Sequence, residues 1–170
     1  MQQKYFIDEH TQLRMAGPED CALILGLVKE LAVYEKLLDA VEATEEMYTR
    51  SIFDEKKAEV VIVEYDGNTA GFALYFHTFS TFVGRPGIYL EDLFVKPAYR
   101  GKGLGKLLLS FLAKTTVDRG YGRLEWACLD WNEPSIEFYK SQGARPLDEW
   151  TTYRVTGDAL TKLGAKFPGH

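Results

Sequence analysis

Cysteine is scarce in this 170-residue chain, which holds only Cys21 and Cys128. The two lie far apart, and neither belongs to a CxxC pair or a Cys/His cluster, so the sequence predicts neither a disulfide framework nor a metal site. Both fall within apolar patterns, and we interpret them as buried thiols of a protein kept in a reducing compartment.

Long apolar runs and an excess of positive charge are also missing. No run approaches the about 18 residues of a membrane-spanning helix, and residues 1–6 lack the apolar stretch of a signal peptide. The formal net charge is −5, which disfavours nucleic acid because phosphate contacts need clustered cations. We therefore expect a cytoplasmic protein without membrane or nucleic-acid partners. The acidic surface fits a cationic substrate, although solubility alone could explain it.

The length and composition of the chain, with 46% apolar and 26% charged residues, suit one domain over residues 1–170. The patterns predict a mixed α/β fold in the order β-α-α-β-β-β-α-β-α-β. The predicted strands cover 13–16, 58–65, 69–79, 87–95, 123–129 and 149–155, and the predicted helices begin at 18, 44, 103 and 132. The strand–helix–strand crossover through 103–119 should place strands 88–95 and 123–129 side by side. The polar tail 162–170 is expected to be loosely ordered.

A glycine-rich loop joins the strand at 87–95 to the helix that begins at Gly103. Glycines alternate at 101, 103 and 105, so the backbone can turn sharply and bring its N–H groups against a ligand. The helix start adds unpaired donors and partial positive charge, which suits a phosphate or pyrophosphate. The spacing matches neither GxGxxG nor GxxxxGK[ST], which disfavours a dinucleotide fold and a magnesium–nucleotide loop. A glycine-rich turn that binds no ligand is the alternative.

Four segments together resemble the GNAT N-acetyltransferase superfamily, and within it the spermidine/spermine and thialysine (diamine) acetyltransferases. They are Lys29–Lys36 (KELAVYEK), Tyr89–Val95 (YLEDLFV), Tyr99–Gly105 (YRGKGLG) and Asp130–Tyr139 (DWNEPSIEFY). The resemblance extends over about residues 13–155. It implies a mostly antiparallel central sheet, splayed at a V-shaped cofactor cleft between strands 88–95 and 123–129, with helices on both faces. It also implies acetyl-CoA as co-substrate, no metal, and a homodimer.

The resemblance implies three groups of cofactor contacts. Main-chain groups of one strand would bind the pantetheine arm: Leu93, Phe94 and Val95. The loop would bind the pyrophosphate: Arg100, Gly101, Lys102, Gly103, Leu104, Gly105 and Lys106. The next helix start would contact the pantetheine end: Asn132, Glu133, Pro134 and Ser135, with Tyr139 facing the sulfur.

Two residues are candidates for catalysis. Tyr139 follows Asn132 by nearly two helical turns, so both side chains face one side. A tyrosine, with a pKa of about 10, can protonate a thiolate leaving group of about 8.5 once the site is desolvated, so we assign Tyr139 as general acid or hydrogen-bond donor. The acceptor ammonium, with a pKa of about 10.4, must lose a proton. Glu91 and Asp92 lie on opposite strand faces, and the resemblance favours Glu91, acting directly or through water.

The remaining candidates concern the amine substrate. Tyr34 and Glu35 end the first long helix, where a carboxylate would hold the distal ammonium of a diamine; an ordinary helix-end glutamate is the alternative. Glu125 and Trp126 lie on the strand opposite. By alternation one of them faces the cleft, and either could contact the substrate. Ala127, the next residue, is a further candidate for a substrate contact.

The resulting hypothesis is direct acetyl transfer from acetyl-CoA to a primary amine of a small cation (polyamine, thialysine or ornithine-like) in a ternary complex. The alternatives are acetylation of a protein or peptide amine, and a non-catalytic acyl-CoA sensor.

Overall fold

The computed structural model describes residues 3–169. The chain divides into two compact units, Met1–Ala127 and Cys128–His170. The first unit is built on a sheet of six strands, which follow one another across the sheet in chain order. The strands are β1 Lys4–Phe6, β2 Thr11–Met15, β3 Glu59–Tyr65, β4 Asn68–Ser80, β5 Arg85–Val95 and β6 Leu124–Trp126.

All strand pairs are antiparallel except β5 and β6, which are parallel. The mixed, mostly antiparallel sheet expected from the sequence is therefore confirmed. The β3–β4 hairpin turns at Asp66 and Gly67, whose φ values are 49° and 74°. Positive φ at both central residues is the signature of a type I′ turn, whose twist matches that of the flanking strands.

One face of the sheet is covered by α1, Cys21–Tyr34, which follows a 3₁₀ turn at Pro18–Asp20. Proline in the first turn needs no backbone donor, which explains why the helical region begins there. A short helix, α2 (Glu45–Tyr48), and a π-helical turn at Thr49–Asp54 complete this layer. The apolar cluster under it is made of Ile24, Leu27, Leu31, Ile52, Val60, Ile62, Phe72 and Phe94.

The opposite face carries α3, Leu104–Asp118, which is the crossover helix between β5 and β6. Its Phe111 ring lies 5.2 Å from the Tyr5 ring on β1, and its Gly105 approaches Val95. Val95 follows Phe94, whose side chain belongs to the α1 cluster, so the two side chains point to opposite faces. Helices therefore cover both faces of the sheet, as predicted.

A buried arginine fixes the start of α1 to the sheet. Arg14 on β2 donates from its two Nη atoms to the Asp20 carboxylate at 2.7 and 2.8 Å, and from Nε to Glu64 at 2.7 Å. Only about a tenth of each of the Arg14 and Asp20 side chains is exposed. Such charges are stable in the interior because each is paired and hydrogen-bonded. The contact joins the turn before α1 to β2 and β3.

The second unit contains two helices, α4 (Glu133–Ser141) and α5 (Gly157–Gly164). Asn132 is the N-cap of α4, and Gly143, with φ of 86°, follows its last turn. Within residues 3–169 no helix combines the length and apolar character that crossing a bilayer requires.

Four sequence expectations differ from the structure. Strand β1 was not predicted, because its three residues pair only with β2 at the sheet edge. The strand expected at 123–129 is limited to Leu124–Trp126. No strand forms at 149–155, which is exposed and irregular. The tail 162–170 is not wholly irregular, since α5 extends to Gly164; His170 lies outside the described residues.

Candidate active site

The β5 strand outlasts its partner β6. The two pair from Ile88 with Leu124 to Leu90 with Trp126, and β5 then continues to Val95. Along 91–95 its outer edge has no strand partner among residues 3–169. Alternate N–H and C=O groups there can bind an extended ligand as a further strand would. The predicted pantetheine contacts Leu93, Phe94 and Val95 all lie on this stretch.

A β-bulge at Glu91 marks the start of the free edge. Leu74 on β4 pairs with Asp92 and the next residue, Tyr75, with Leu90, so Glu91 is an extra residue in β5. Bulges redirect side chains and are frequent beside active sites. Glu91 is exposed, whereas Asp92 is partly buried on the same sheet face as Phe94, under α1.

Asp92 is the most perturbed carboxyl group near this edge. Burial, then the negative charges of Glu91 and Glu35, raise its pKa to about 7. Burial also raises the pKa of Glu35, and burial and the Asp92 charge raise the pKa of Tyr48. The structure thus brings Glu35 from the end of α1 to the Glu91–Asp92 pair on β5. From the sequence, Asp92 is only the alternative to Glu91. Its raised pKa could not be predicted, because it depends on the burial of Asp92 under α1.

The glycine loop begins shortly after β5 ends. Gly101 and Gly103 both have φ of 77°, and a Cβ on either would meet open space. Gly103 is the N-cap of α3 and has no side chain to cap it, so the N–H groups of the first helical turn lack intrahelical acceptors. Positive φ, open space and unpaired donors fit a pyrophosphate, as the sequence predicted for Gly101–Lys106.

The cations of this loop do not all point outward. The Arg100 Nε donates to the Val95 carbonyl at 3.1 Å, and its guanidinium lies over the Tyr34 ring at 4.9 Å. Lys102 places its Nζ 4.6 Å from the centre of the Tyr65 ring. Lys106 is exposed. The Arg100 side chain therefore turns back to the sheet and α1.

The β6 candidates are placed as follows. Glu125 Oε2 lies 3.0 Å from Arg123 Nε, and Trp126 pairs across the sheet with Leu90 at the last β5–β6 position. Ala127 is exposed just beyond the strand. Trp126 is therefore the β6 residue at the point where the free edge of β5 begins.

In the second unit, Asn132, Glu133, Pro134 and Ser135 form the start of α4. Asn132 is buried and Tyr139 partly buried. Seven residues separate them, so both lie on one side of the helix, as predicted. The Tyr139 ring is tilted against that of Phe138, with centroids 5.4 Å apart.

Comparison with known proteins gives consistent matches. The model of the Acetyltransferase (GNAT) family matches residues 29–144. A thialysine N-epsilon-acetyltransferase from Sus scrofa is 39% identical over 91% of this chain and 97% of the relative. An L-ornithine N5-acetyltransferase from Arabidopsis thaliana is 31% identical over 90% of this chain and 87% of the relative. Among solved structures, an integron cassette protein from the V. cholerae mobile metagenome superposes with a TM-score of 0.78 at 28% identity, covering 94% of this chain and all of that one.

Proposed function

The chain belongs to the GNAT acetyltransferase family and is an N-acetyltransferase, and we propose that its acceptor is the primary amine of a small molecule that carries a second cationic group. The observation that carries the proposal is that Glu35 and Glu91 lie close enough to Asp92, at the bulge where the free edge of β5 begins, for their charges to raise its pKa. Carboxylates there can attract a cation and accept a proton. The relatives named for thialysine and ornithine support a small diamino substrate.

The acetyl group is supplied by acetyl-CoA, the co-substrate of the GNAT family, as a thioester. The residues fit this molecule at two places: the free edge of β5 suits its extended arm, and the loop at Gly101–Lys106 suits its pyrophosphate. We propose that Asn132–Ser135 contact the end of the arm. The β6 residues Glu125, Trp126 and Ala127 would border the amine.

Proton transfer is the first task of the site. An acceptor ammonium with a pKa of about 10.4 is almost wholly protonated at neutral pH. We propose that Asp92 and Glu91 share the role of base, directly or through one water, with the proton leaving the amine for a carboxylate. Glu35, beside Tyr34, would hold the distal ammonium. The neutral amine then attacks the acetyl carbon, the C–S bond breaks, and Tyr139 donates a proton to the departing sulfur. The nitrogen, which now forms the amide, releases its second proton, and this proton restores the Tyr139 hydroxyl directly or through water.

Direct transfer in a ternary complex is preferred over an acetylated cysteine. Cys21 is buried, with Sγ 3.2 Å from Thr49 Oγ1. The thiol of Cys128 donates to the Leu129 carbonyl at 3.6 Å. Intersecting initial-rate patterns, and retained turnover in Cys128→Ser, would support this order of events.

An amine panel tests the substrate class. Thiol release from acetyl-CoA is followed with monoamines, diamines, ornithine, thialysine and lysine-containing peptides, and we expect turnover to be fastest with small diamino compounds. Peptides preferred over all small amines would indicate a protein acetyltransferase. CoA binding without turnover of any amine would indicate an acyl-CoA sensor.

A single substitution tests the role of Glu35. Glu35→Gln should raise KM for diamines about two- to fivefold, the range for a partly screened charge pair, and leave KM for monoamines unchanged. Glu42→Gln, which alters an exposed carboxylate in the following segment, is the matched control. Equal effects on monoamines and diamines would remove the assigned role of Glu35.

We further propose that residues 1–170 act as one catalytic domain, since the family match at 29–144 spans both compact units. We also propose a cytoplasmic homodimer. Strongly exposed aromatic side chains in the second unit support a partner surface there: Trp150, Tyr153 and Phe167.

A further inference from the structure

The Arg100 side chain connects three elements of the first unit. Arg100 lies in the glycine loop. Its Nε donates to the last carbonyl of β5, at Val95, and its guanidinium lies over two aromatic rings. The ring centres lie 4.9 Å away for Tyr34 and 5.9 Å away for Phe94. The loop is thereby attached to the end of α1 as well as to the strand that precedes it.

The end of α1 is also where the proposed acceptor contacts lie. Tyr34 is the last residue of α1 and Glu35 its C-cap; Glu35 is close enough to Asp92 for its charge to raise the pKa of that carboxyl. One turn earlier, Glu30 Oε1 lies 3.3 Å from Lys96 Nζ, just after β5. This second link joins the body of α1 to the residue that follows β5, whereas the Tyr34–Arg100 contact joins the end of α1 to the loop.

We propose that Arg100 is a positioning residue that couples the two binding events, so that ordering of the glycine loop by the pyrophosphate sets the position of Tyr34 and Glu35 and favours binding of the amine. The proposal rests on the proposed function in taking Glu35 as an acceptor contact. Arg100 thereby acts on the amine through Tyr34.

Coupling of this kind is reciprocal: if CoA raises the affinity for the amine, the amine raises the affinity for CoA by the same factor. An exposed cation–π contact limits its size. A contact of this strength corresponds to about a two- to fivefold change in affinity.

Isothermal titration calorimetry measures the coupling without turnover. CoA, which carries no acetyl group, is titrated into the full-length protein with and without saturating L-ornithine, and the ratio of the two Kd values is the coupling factor. We expect a factor of about two to five in the wild type, and a factor near one in Arg100→Gln, in Tyr34→Leu and in the double variant. Non-additivity in this cycle identifies the pair as one unit.

Conservative and matched variants distinguish a positioning role of Arg100 from an effect of losing its charge or of disturbing the fold. Tyr34→Phe keeps the ring, and Arg100→Lys keeps a cation, so the first should retain the coupling and the second retain part of it. Lys102→Gln removes a cation from the same loop that contacts Tyr65 rather than α1. It should weaken CoA binding while leaving the coupling factor unchanged. If Arg100 instead bound the pyrophosphate directly, Arg100→Gln would behave like Lys102→Gln and Tyr34→Leu would have no effect.

Hydrogen–deuterium exchange supplies a readout that needs no amine. CoA alone should slow exchange at residues 33–41 in the wild type and in Tyr34→Phe, but not in Tyr34→Leu, whose loop and Arg100 are intact. Turnover of diamines with unchanged exchange and unchanged coupling in Tyr34→Leu would overturn the coupling and leave the proposed function standing. The opposite result is also informative. If CoA slows exchange in the wild type but not in Tyr34→Leu, and the protein acetylates no amine, the proposed function is wrong and the link from the loop to α1 is retained.

Discussion

The surroundings of Asp92 raise the pKa of its carboxyl group toward neutral pH. A carboxylate in water has a pKa near 4 and holds a proton too weakly to take one from an ammonium. Burial under α1 and the charges of Glu91 and Glu35 raise the pKa of Asp92 to about 7, which is the range in which general bases work best at physiological pH.

The pH profile of kcat/KM should report this group. We expect the rate to rise with a midpoint near pH 7 as the carboxyl loses its proton, well below the titration of the substrate ammonium near 10. Asp92→Asn should lower kcat/KM by about a hundredfold and remove this limb. A limb with the same midpoint in Asp92→Asn would assign the titration to another group.

The same shift predicts a pH dependence of stability. Because the folded-state pKa lies above the unfolded value of 3.8, the folded protein binds more protons between about pH 4 and 7, and the free energy of unfolding falls as pH rises through this window. Asp92→Asn should flatten the fall and raise stability at pH 7.5 by up to about 4 kcal/mol, measured by denaturant unfolding. A steeper fall in the variant would contradict the raised pKa.

The proposed proton donor to the departing sulfur, Tyr139, can be tested by substitution. Tyr139→Phe should lower kcat about ten- to a hundredfold, because the departing thiolate loses its donor, while the Kd of CoA changes less than about threefold. Tyr153→Phe alters an exposed tyrosine of the same unit and should leave both values unchanged. An unaltered kcat in Tyr139→Phe would exclude a role for its hydroxyl as the acid.

At the scale of single residues, residue types and spacing predicted the glycines and Tyr139 as candidates, and the family resemblance favoured Glu91 over Asp92. Neither predicted the environments of Asp92 and Arg100. Alternation along a strand says that two neighbours point to opposite faces, yet the bulge at Glu91 and the cover of α1 decide which carboxyl is buried. The direction taken by the Arg100 side chain likewise depends on Tyr34, which lies far away along the chain.

The loop and helix at 101–118 form the element on which the proposed phosphate binding depends. Gly103 holds a φ of 77°, a region that a β-branched residue enters only with strain. Gly103→Val should destabilise the protein by about 1–2 kcal/mol and weaken CoA binding at least tenfold, measured by thermal unfolding and calorimetry. Gly26→Ala provides the contrast, since Gly26 lies within α1 with open space at its Cβ position; it should stabilise by about 0.5–1 kcal/mol and leave CoA binding unchanged. Equal effects of the two substitutions would show that the φ of Gly103 is unimportant.

Elements with their own local signals were predicted well, and elements that depend on distant partners were not. The helices at 18, 44, 103 and 132 each begin with a recognisable start, such as Thr44, whose side chain accepts from the Met47 N–H. The segment 149–155 has the composition of a strand, but a strand exists only where another strand pairs with it. Strand β1 is the reverse case, since its three residues carry little pattern and gain their structure from pairing with β2.

For the whole molecule, the proposed dimer has a direct test. Trp150 and Tyr153 are 76% and 90% exposed in the second unit, and exposed aromatic residues of this kind are typical of protein interfaces. Light scattering should give the mass of a dimer for the wild type and of a monomer for the Trp150→Glu, Tyr153→Glu double variant. Phe82→Glu, which changes a fully exposed aromatic residue of the first unit, should leave the dimer intact. A dimeric double variant would place the interface elsewhere.

The free edge of β5 also affects the tendency of the protein to aggregate. Within residues 3–169 the outer edge of β5 at 91–95 has no strand partner. A strand from another molecule can add to such an edge, and sheet edges of this kind start aggregation. An extended ligand arm lying along β5 would occupy this edge. CoA at cellular concentration would then protect the enzyme from aggregation. Protein from which CoA has been removed should lose solubility during storage before it unfolds.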